Sequence, residues 1–389
     1  MDSLTQAVLG AGIQGAMLGR YHGRKAMAAG ALLATLPDLD VLIDYGDPIS
    51  GMIHHRGFSH SLFVLSALAL LLTAVWRRWR PDTRYSAWHL FLTLWLVLIT
   101  HPLLDAFTSY GTQLWWPLKP VPTSWSSIFI IDPFFTLPLL AAAVFALVAG
   151  ERPRTRPMLC WALGFCVAYL ALSVLAKQLA ETRVRDALAR EGQHITAMFS
   201  TPQPFTILLW RVLARTDDDH YIEAITSLLD SPPSASPDSE APAAGEADGP
   251  AKAPGRHERR MSADGKGPPE HIKLPLNSRL GAALPPTPQL SGLRWFTDDW
   301  LRYDDVDGRL VVSDLRMGLG TGYYSFRFLI ARRTSSDEPW TVVQPRYWPR
   351  DRGMTELSAV IRRIWRQTPA LPLATWEKNM TLPIDVRSR

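Results

Sequence analysis

The chain has 389 residues and a formal net charge of +5, with 47% hydrophobic and 20% charged residues. These averages resemble a soluble protein, but they combine unlike regions. Long apolar runs extend to about residue 176, whereas residues 231–270 contain almost no large apolar side chain. The sequence therefore excludes a single soluble domain and a wholly disordered chain. It predicts a membrane region, a polar linker and a polar domain.

The membrane region is predicted to be a multi-pass α-helical bundle. Two short Gly- and Ala-rich segments, Leu4–Leu18 and Ala26–Leu36, come first, and we expect them to pack closely and to be partly embedded. A signal peptide is the alternative for the first segment, but it has no basic residues before it. Four apolar runs with about the length that a bilayer requires follow: Phe58–Trp76, Trp88–Leu104, Ile128–Gly150 and Met158–Ala176.

Basic residues in the loops predict how the bundle is oriented. The loops on one side contain only Arg56 and Lys119, whereas ten basic residues lie on the other side. Because basic loops remain in the cytoplasm, the part after about residue 177 is predicted to be periplasmic, in a protein of the bacterial inner membrane. The ten residues are Arg20, Arg24, Lys25, Arg77, Arg78, Arg80, Arg84, Arg152, Arg154 and Arg156.

Imidazole and carboxylate side chains collect at the predicted non-cytoplasmic helix ends. A carboxylate at the centre of a membrane helix costs about 2.5–3.5 kcal/mol on insertion scales, so polar residues at membrane depth are functional candidates. Imidazole nitrogens and carboxylate oxygens together are the ligands of zinc and neighbouring first-row metals. The residues at this end are Asp38, Asp40, His54, His55, His60, His101, Asp105 and Asp132.

Some of these residues also have a structural interpretation. Asp38 and Asp40 can form a polar turn, and His54 can be an interfacial imidazole. For Asp132, which precedes a proline, a helix N-cap is the favoured interpretation. Taken together, the residues favour a metal site.

One pair carries a specific spacing. His101 and Asp105 are four residues apart and would share one face of a helix. Pro102 disfavours helical backbone at the residue before it, so we expect a new turn to start there. The spacing alone therefore leaves open whether the two side chains converge.

Four motifs resemble, in order, a known family. They are the opening Met-Asp-Ser-Leu-Thr-Gln-Ala-Val-Leu-Gly, then Leu-Pro-Asp-Leu-Asp, His-Arg-Gly-Phe-Ser-His-Ser-Leu and His-Pro-Leu-Leu-Asp-Ala-Phe-Thr-Ser-Tyr-Gly-Thr. Over roughly residues 1–140 they resemble the membrane-bound metal-dependent hydrolases, also labelled LexA-regulated inner-membrane hydrolases. The resemblance implies a distant relation to zinc-dependent phospholipases C, which are all-helical enzymes with clustered ligands.

The resemblance also implies a ligand set and a cofactor. Many family members have His after the opening Thr, where this chain has Gln6. Gln6 is therefore a weaker candidate, together with His54 and Asp132. The implied cofactor is a divalent metal ion, and zinc is the metal that we expect first. The metal ligands carried over are Asp38, Asp40, His55, His60, His101 and Asp105.

The second half of the chain is predicted to form a small β-rich (α+β) extracytoplasmic domain. The predicted boundaries are 1–190 for the helical membrane domain, 191–230 for strands that pack with the C-terminal domain, 231–270 for a disordered linker and 271–389 for the β-rich domain. Residues 205–229 are expected in the same sheet as the later strands. Strands are predicted at 205–215, 220–229, Leu293–Tyr303, Arg309–Arg316, Tyr323–Arg332 and Trp340–Tyr347, and a helix at Met354–Trp365.

These features together predict a metal-dependent hydrolase of the inner membrane. Its site would lie at the outer bilayer face, and its expected partners are membrane lipid and a lipid-like ester or phosphodiester substrate. The alternative is a non-catalytic membrane protein with a structural metal or an ion or proton relay. Residues 271–389 carry an excess of basic residues, 18 Lys+Arg against 12 Asp+Glu. No nucleic-acid partner is expected, because no known binding motif occurs and this part is predicted to lie outside the cytoplasm.

Overall fold

The computed structural model describes residues 1–150, 152–230, 269–319, 323–348, 354–367 and 370–373. Nearly all of the predicted linker at 231–270 lies outside these residues, so the prediction of a linker stays a prediction. The described part consists of a helical N-terminal region followed by two antiparallel four-stranded sheets, which confirms a helical region before a β-rich region.

The helical region contains seven α-helices and two short 3-10 helices among the described residues. The helices are α1 (Ser3–His22), α2 (Arg24–Thr35), α3 (Pro48–His54), α4 (Leu62–Trp79), α5 (Ala87–Ala106), α6 (Pro133–Ala149) and α7 (Thr155–Arg190). The 3-10 helices, Pro37–Leu42 and Phe58–His60, lie on either side of α3 and contact each other. Both therefore lie close to the end of the bundle where the predicted ligands occur.

Glycines bring α1 and α2 into close contact, as the composition of these segments predicts. A Cβ atom added at Gly30 would lie 2.3 Å from the carbonyl oxygen of Gly10, and one added at Gly10 would lie 2.3 Å from the carbonyl oxygen of Gly30. No larger residue fits at either position without separating the helices. This contact holds α2 close against α1.

Within the described part of the chain, α4, α5 and α7 are long and apolar enough to cross a membrane. The remaining predicted span, Ile128–Gly150, is shorter in the structure, because α6 has 17 residues and begins after Asp132. The Asp132 carboxylate accepts hydrogen bonds from the backbone N–H groups of Phe134 and Phe135, which ends the preceding extended segment. Similarly, Ser61 caps α4, so His60 lies in the turn before the span.

The proline in α5 does not interrupt the helix. The expectation of a new turn at Pro102 is wrong, since α5 continues through it from Ala87 to Ala106. Pro lacks a backbone N–H and costs one intrahelical hydrogen bond, but packing inside the bundle can outweigh this loss. His101 and Asp105 consequently lie on one face of one helix.

The basic loops gather at the end of the bundle opposite the candidate ligands. Arg24, the first residue of α2, donates a hydrogen bond of 3.0 Å to the carbonyl oxygen of Val148 at the end of α6. His22 lies 2.9 Å from the hydroxyl of Tyr85 in the loop between α4 and α5, and Arg156 bonds the Ala16 carbonyl. The bundle therefore has one basic end and one end rich in imidazole and carboxylate.

The strands of the β-rich part form two four-stranded sheets and one two-stranded sheet among the described residues. In chain order the elements are β1 (Ile195–Pro202), β2 (Leu209–Thr216), β3 (His220–Ser227), β4 (Glu270–Pro275), α8 (Ser278–Ala282), α9 (Pro288–Thr297), β5 (Leu301–Val306), β6 (Arg309–Asp314), β7 (Gly318–Leu319), β8 (Tyr323–Tyr324), β9 (Arg327–Arg332), β10 (Thr341–Tyr347) and α10 (Met354–Trp365). The four-stranded sheets have the orders β1-β2-β3-β4 and β10-β9-β6-β5, and β7 pairs with β8. The expectation that 205–229 share a sheet with the later strands therefore holds for β4 and is wrong for β5, β6, β9 and β10.

Part of one predicted strand is a helix. The segment Leu293–Tyr303 was predicted as a strand, but α9 extends to Thr297 before β5 begins. Thr287 caps α9 through a hydrogen bond from the N–H of Leu290, and a proline occupies the first helical position. Leu293 and Phe296 then face the core at helical spacing, which short apolar runs do not distinguish from strand spacing.

The β-rich part packs on the loops beside the candidate site. Ile49, Met52 and Ile53 of α3 share a hydrophobic core with Leu293 and Phe296 of α9. Tyr110, which follows α5, belongs to the same core and makes edge contacts with Phe296 and Phe326. The second half of the chain therefore covers the loop end of the bundle.

Candidate metal centre

Four of the predicted ligands come together at this covered end. Asp38 is in the first 3-10 helix, His60 ends the second, and His101 and Asp105 lie one turn apart on α5. One ligand atom from each lies within 4.8 Å of all the others. His60, His101 and Asp105 are buried, whereas 23% of the Asp38 side chain is exposed.

Five of the six distances between these ligand atoms are close to those of a tetrahedral metal site. Nε2 of His101 lies 3.2 Å from Asp38 Oδ1 and 3.6 Å from Asp105 Oδ2. Nε2 of His60 lies 3.6 Å from Asp38 Oδ1, 3.3 Å from Asp105 Oδ2 and 3.2 Å from Nε2 of His101. Zinc bonds of about 2.0–2.1 Å in a tetrahedron separate ligand atoms by about 3.3–3.4 Å. These five distances therefore fit one small divalent ion.

Hydrogen bonds on the far side of each imidazole direct its Nε2 lone pair inward. Nδ1 of His101 lies 2.6 Å from the carbonyl oxygen of Ala34, which can only accept, so this nitrogen carries the proton. Nδ1 of His60 is 2.9 Å from Ser59 Oγ, whose own hydroxyl donates to Asp40 Oδ2 at 2.7 Å. In the neutral imidazoles both Nε2 atoms are then unprotonated, as metal-binding histidines require.

The Asp105 carboxylate lies among cationic groups. Its Oδ1 accepts a hydrogen bond of 3.2 Å from the Gln6 amide and contacts the amino group of Met1. Its Oδ2 is 3.2 Å from Nε of Arg56, yet both atoms are buried without a hydrogen bond in the described part of the chain. A buried carboxylate oxygen beside the Nε2 atoms of two imidazoles suits a cation, so the residues present fit a bound metal.

Asp40 and His55, predicted as ligands, lie beside the group of four rather than in it. Nδ1 of His55 is 2.9 Å from Asp40 Oδ1, and Asp40 Oδ2 accepts hydrogen bonds from the Arg56 backbone and from Ser59. Burial by itself raises the pKa of Asp40, but hydrogen bonds from His55 and Ser59 outweigh this effect and lower that pKa. Asp40 thus orients two histidines as a buried, ionised acceptor.

The three weaker candidates occupy different places. Gln6 contacts the site, since its amide donates both to Asp105 and to the carbonyl oxygen of His101. His54 is exposed and stacks on Tyr45 with the ring centres 5.1 Å apart. Asp132 caps α6 and accepts a hydrogen bond from the Tyr169 hydroxyl at 2.9 Å. Gln6 is therefore the one of the three that touches the proposed ligands.

Three supporting groups were missed by the sequence reasoning. Ser59 and Arg56 lie inside the motif His-His-Arg-Gly-Phe-Ser-His, so their position between two candidate ligands was the available signal. The backbone carbonyl of Ala34 gave no signal, because a main-chain oxygen has no sequence signature. Arg56 has a positive φ of 62°, and its guanidinium lies 4.9 Å from the ring centre of Tyr110.

Comparisons with known proteins agree with a membrane location. Residues 1–180 match the sequence model of the family described as YdjM inner membrane protein. The chain is 39% identical over 93 residues to inner membrane protein YbcI of Escherichia coli (strain K12), covering 24% of this chain and 52% of YbcI. It is also 29% identical over 161 residues to uncharacterized protein YfhP of Bacillus subtilis (strain 168), covering 39% of this chain and 48% of YfhP.

The chain spans about half the length of the curated relatives that it matches. No solved structure matches it significantly. The family match and the apolar helices support an inner-membrane location, so the chain is a membrane protein whose first 180 residues are similar to the YdjM inner membrane protein family.

Proposed function

We propose that the protein is a metal-dependent hydrolase of the inner membrane, with Asp38, His60, His101 and Asp105 as the metal ligands. One observation carries this proposal: four ligand atoms from three separate segments of the chain lie within 4.8 Å of one another, and Nδ1 of each imidazole has a hydrogen-bond partner outside the group, which leaves Nε2 facing the other ligand atoms. Of the six ligands predicted from the motifs, the proposal keeps four and assigns Asp40 and His55 to supporting roles.

The residues around the ligands suit a hydrolytic reaction. A divalent metal supplies polarisation of a substrate oxygen and a lower pKa for water. His55 is oriented by the Asp40 carboxylate, and no hydrogen bond to its Nε2 occurs in the described residues. Its ring centre lies 6.0 Å from that of His60, and we propose that it accepts a proton from a nucleophile or donates one to a leaving group. Arg56, with its guanidinium beside Asp105, contributes positive charge for an anionic substrate.

The proposed substrate is an ester or phosphodiester of a lipid-like molecule, and the proposed place is the outer face of the bilayer. The site lies at the bundle end opposite the basic loops, and basic loops remain in the cytoplasm. On this orientation the β-rich part is periplasmic. Membrane lipid is then both the solvent of the helices and the nearest source of substrate.

Metal analysis of single variants tests the proposal. We expect His60→Ala, His101→Ala and Asp105→Ala each to lower the zinc content of the purified protein and its hydrolysis of phospholipid or phosphodiester substrates, because each removes one ligand. His54→Ala is the matched control: it removes an exposed imidazole from a neighbouring position and should change neither property. Full metal retention in folded His60→Ala and His101→Ala proteins would refute the shared site.

A structural metal centre is the second candidate function. The observation that favours it is that four protein ligands complete a tetrahedral shell, as in structural zinc sites, whereas catalytic sites keep one position for water. Removal of the metal by a chelator separates the two. A structural metal predicts a lower unfolding temperature and no hydrolysis by the loaded protein. A catalytic metal predicts loss of hydrolysis with a folded protein retained.

A further inference from the structure

The segment that carries Asp38 has an unusual distribution of side chains. In a 3-10 helix, residues three apart lie on the same face. Pro37 and Asp40 form the inward face of the helix Pro37–Leu42 and are buried. The outward face is formed by Leu36, Leu39 and Leu42, of which Leu39 is 56% and Leu42 79% exposed. A turn between water and a protein core would normally present polar side chains on this face.

The apolar surface extends along the chain beyond this face. Val41 is 70% exposed and Ile43 46% exposed. Phe58, which begins the neighbouring 3-10 helix, is 48% exposed, and its ring contacts that of Trp116 at 6.1 Å. The surface is continuous with α4, whose exposed residues begin at Phe63 in a helix long enough to span a membrane. A bilayer is therefore the occupant that fits this surface.

The metal centre is exposed on the same side. Of the four proposed ligands, only Asp38 has a side chain with appreciable exposure, and by the same three-residue spacing it shares a face with Val41, which is 70% exposed. On the side of the β-rich part, the centre is covered by the Arg56 guanidinium, then by the Tyr110 ring and then by Phe296. Tyr110 is fixed there by a hydrogen bond of 2.8 Å to the Met52 carbonyl.

We infer that the metal centre opens laterally into the bilayer at Asp38, and that a phospholipid reaches it with its acyl chains along Leu39, Val41 and Leu42. This inference rests on the proposed function. We call the outward face formed by Leu36, Leu39 and Leu42 the leucine face. A carboxylate next to this face fits the depth at which the phosphate and ester groups of a lipid adjoin its acyl chains. The acyl chains cover the leucine face while the headgroup phosphate reaches the cation that Asp38 would help to hold.

Spin-label accessibility tests the depth of the leucine face. Leu42→Cys is labelled in a Cys160→Ser, Cys166→Ala background and reconstituted in phosphatidylcholine–phosphatidylglycerol vesicles. Leu71→Cys, on the exposed surface of α4, is the hydrocarbon control, and Ser335→Cys, in an exposed turn of the β-rich part, is the aqueous control. We expect the label at position 42 to collide with oxygen more than with a water-soluble nickel complex, as at position 71.

Two results would overturn the inference at this step. A label at position 42 that favours the nickel complex, as at position 335, would place the leucine face in water. A label shielded from both reagents would show that the face is covered by protein, either a partner or a second copy of the chain. Either result leaves the metal content of the protein unchanged, so it is distinguishable from failure of the proposed function.

A second measurement tests the opening itself. Mn²⁺ is loaded into the protein in the same vesicles, and its magnetic coupling to phospholipid phosphorus is measured, with the double variant His60→Ala, His101→Ala as the control for adventitious ion binding. We expect phosphorus coupling in the parent protein and its loss in the double variant. Bound Mn²⁺ in the parent without excess coupling over the control would refute lateral access of the headgroup.

Discussion

The contact between α1 and α2 should control metal binding from a distance. In Gly30→Ala, the new Cβ atom would lie 2.3 Å from the Gly10 carbonyl oxygen and 2.7 Å from Cβ of Gln14, so α2 must move away from α1. Overpacking of this kind costs about 1–3 kcal/mol. One turn later on α2, the Ala34 carbonyl accepts the hydrogen bond that fixes the tautomer of His101. Movement of α2 therefore disturbs a ligand that the substitution does not touch.

The size of the effect follows from that hydrogen bond. Loss of a partner that orients a metal-bound histidine lowers metal affinity by about 10–100-fold. We expect Gly30→Ala to lower zinc affinity by this factor and to lower the unfolding temperature. Zinc affinity would be measured by competition with a chromogenic chelator, and unfolding by circular dichroism in detergent.

Gly19→Ala is the matched control for this substitution. Gly19 is also on the α1–α2 hairpin, but a Cβ atom there meets no atom within 4 Å. Alanine favours a helix over glycine by about 1 kcal/mol, so this variant should be at least as stable as the parent and bind zinc equally well. Unchanged zinc affinity in a destabilised Gly30→Ala protein would refute the coupling between Ala34 and His101.

Three further predictions concern other parts of the chain. Asp132→Ala should destabilise the protein by about 0.5–2 kcal/mol through loss of the α6 cap while its metal content is retained; loss of metal would instead make Asp132 a ligand. Glu223→Ala should destabilise it by about 3–5 kcal/mol, seen as a lower unfolding temperature, because it leaves the buried guanidinium of Arg211 without its carboxylate; an unchanged temperature would contradict this. Reporters fused after Gly150 and after Ser231 should report the cytoplasm and the periplasm, respectively, and one shared compartment would exclude the proposed orientation.

Much of the architecture followed from patterns that are local in sequence. Apolar length predicts the spans, since a bilayer requires about 20 residues whatever the tertiary contacts. The Gly- and Ala-rich composition of the first two helices predicted their close approach, which the contact between Gly10 and Gly30 confirms. The cap at Asp132 was likewise predictable, because capping involves the residue and the next turn only.

Properties that depend on distant partners were decided by the tertiary structure. Pro102 predicted a turn, and contacts around α5 keep the helix continuous instead. Leu293 to Thr297 is helical because Thr287 caps α9 and because α9 shares a hydrophobic core with α3. Hydrophobic periodicity carries no information about either contact. The pairing of 205–229 with β4 in a separate sheet depends on contacts across the chain.

The same distinction between local and distant determinants applies to the candidate metal site. The sequence by itself determined the ligand types and the end of the bundle where they lie, because motif chemistry and loop charge are local properties. It did not separate Asp38 from Asp40, or His60 from His55, because two nearby residues of one type are equivalent in a motif. Only the tertiary structure, by placing Ser59 and the Ala34 carbonyl against two imidazoles, decided which nitrogens and oxygens face one point.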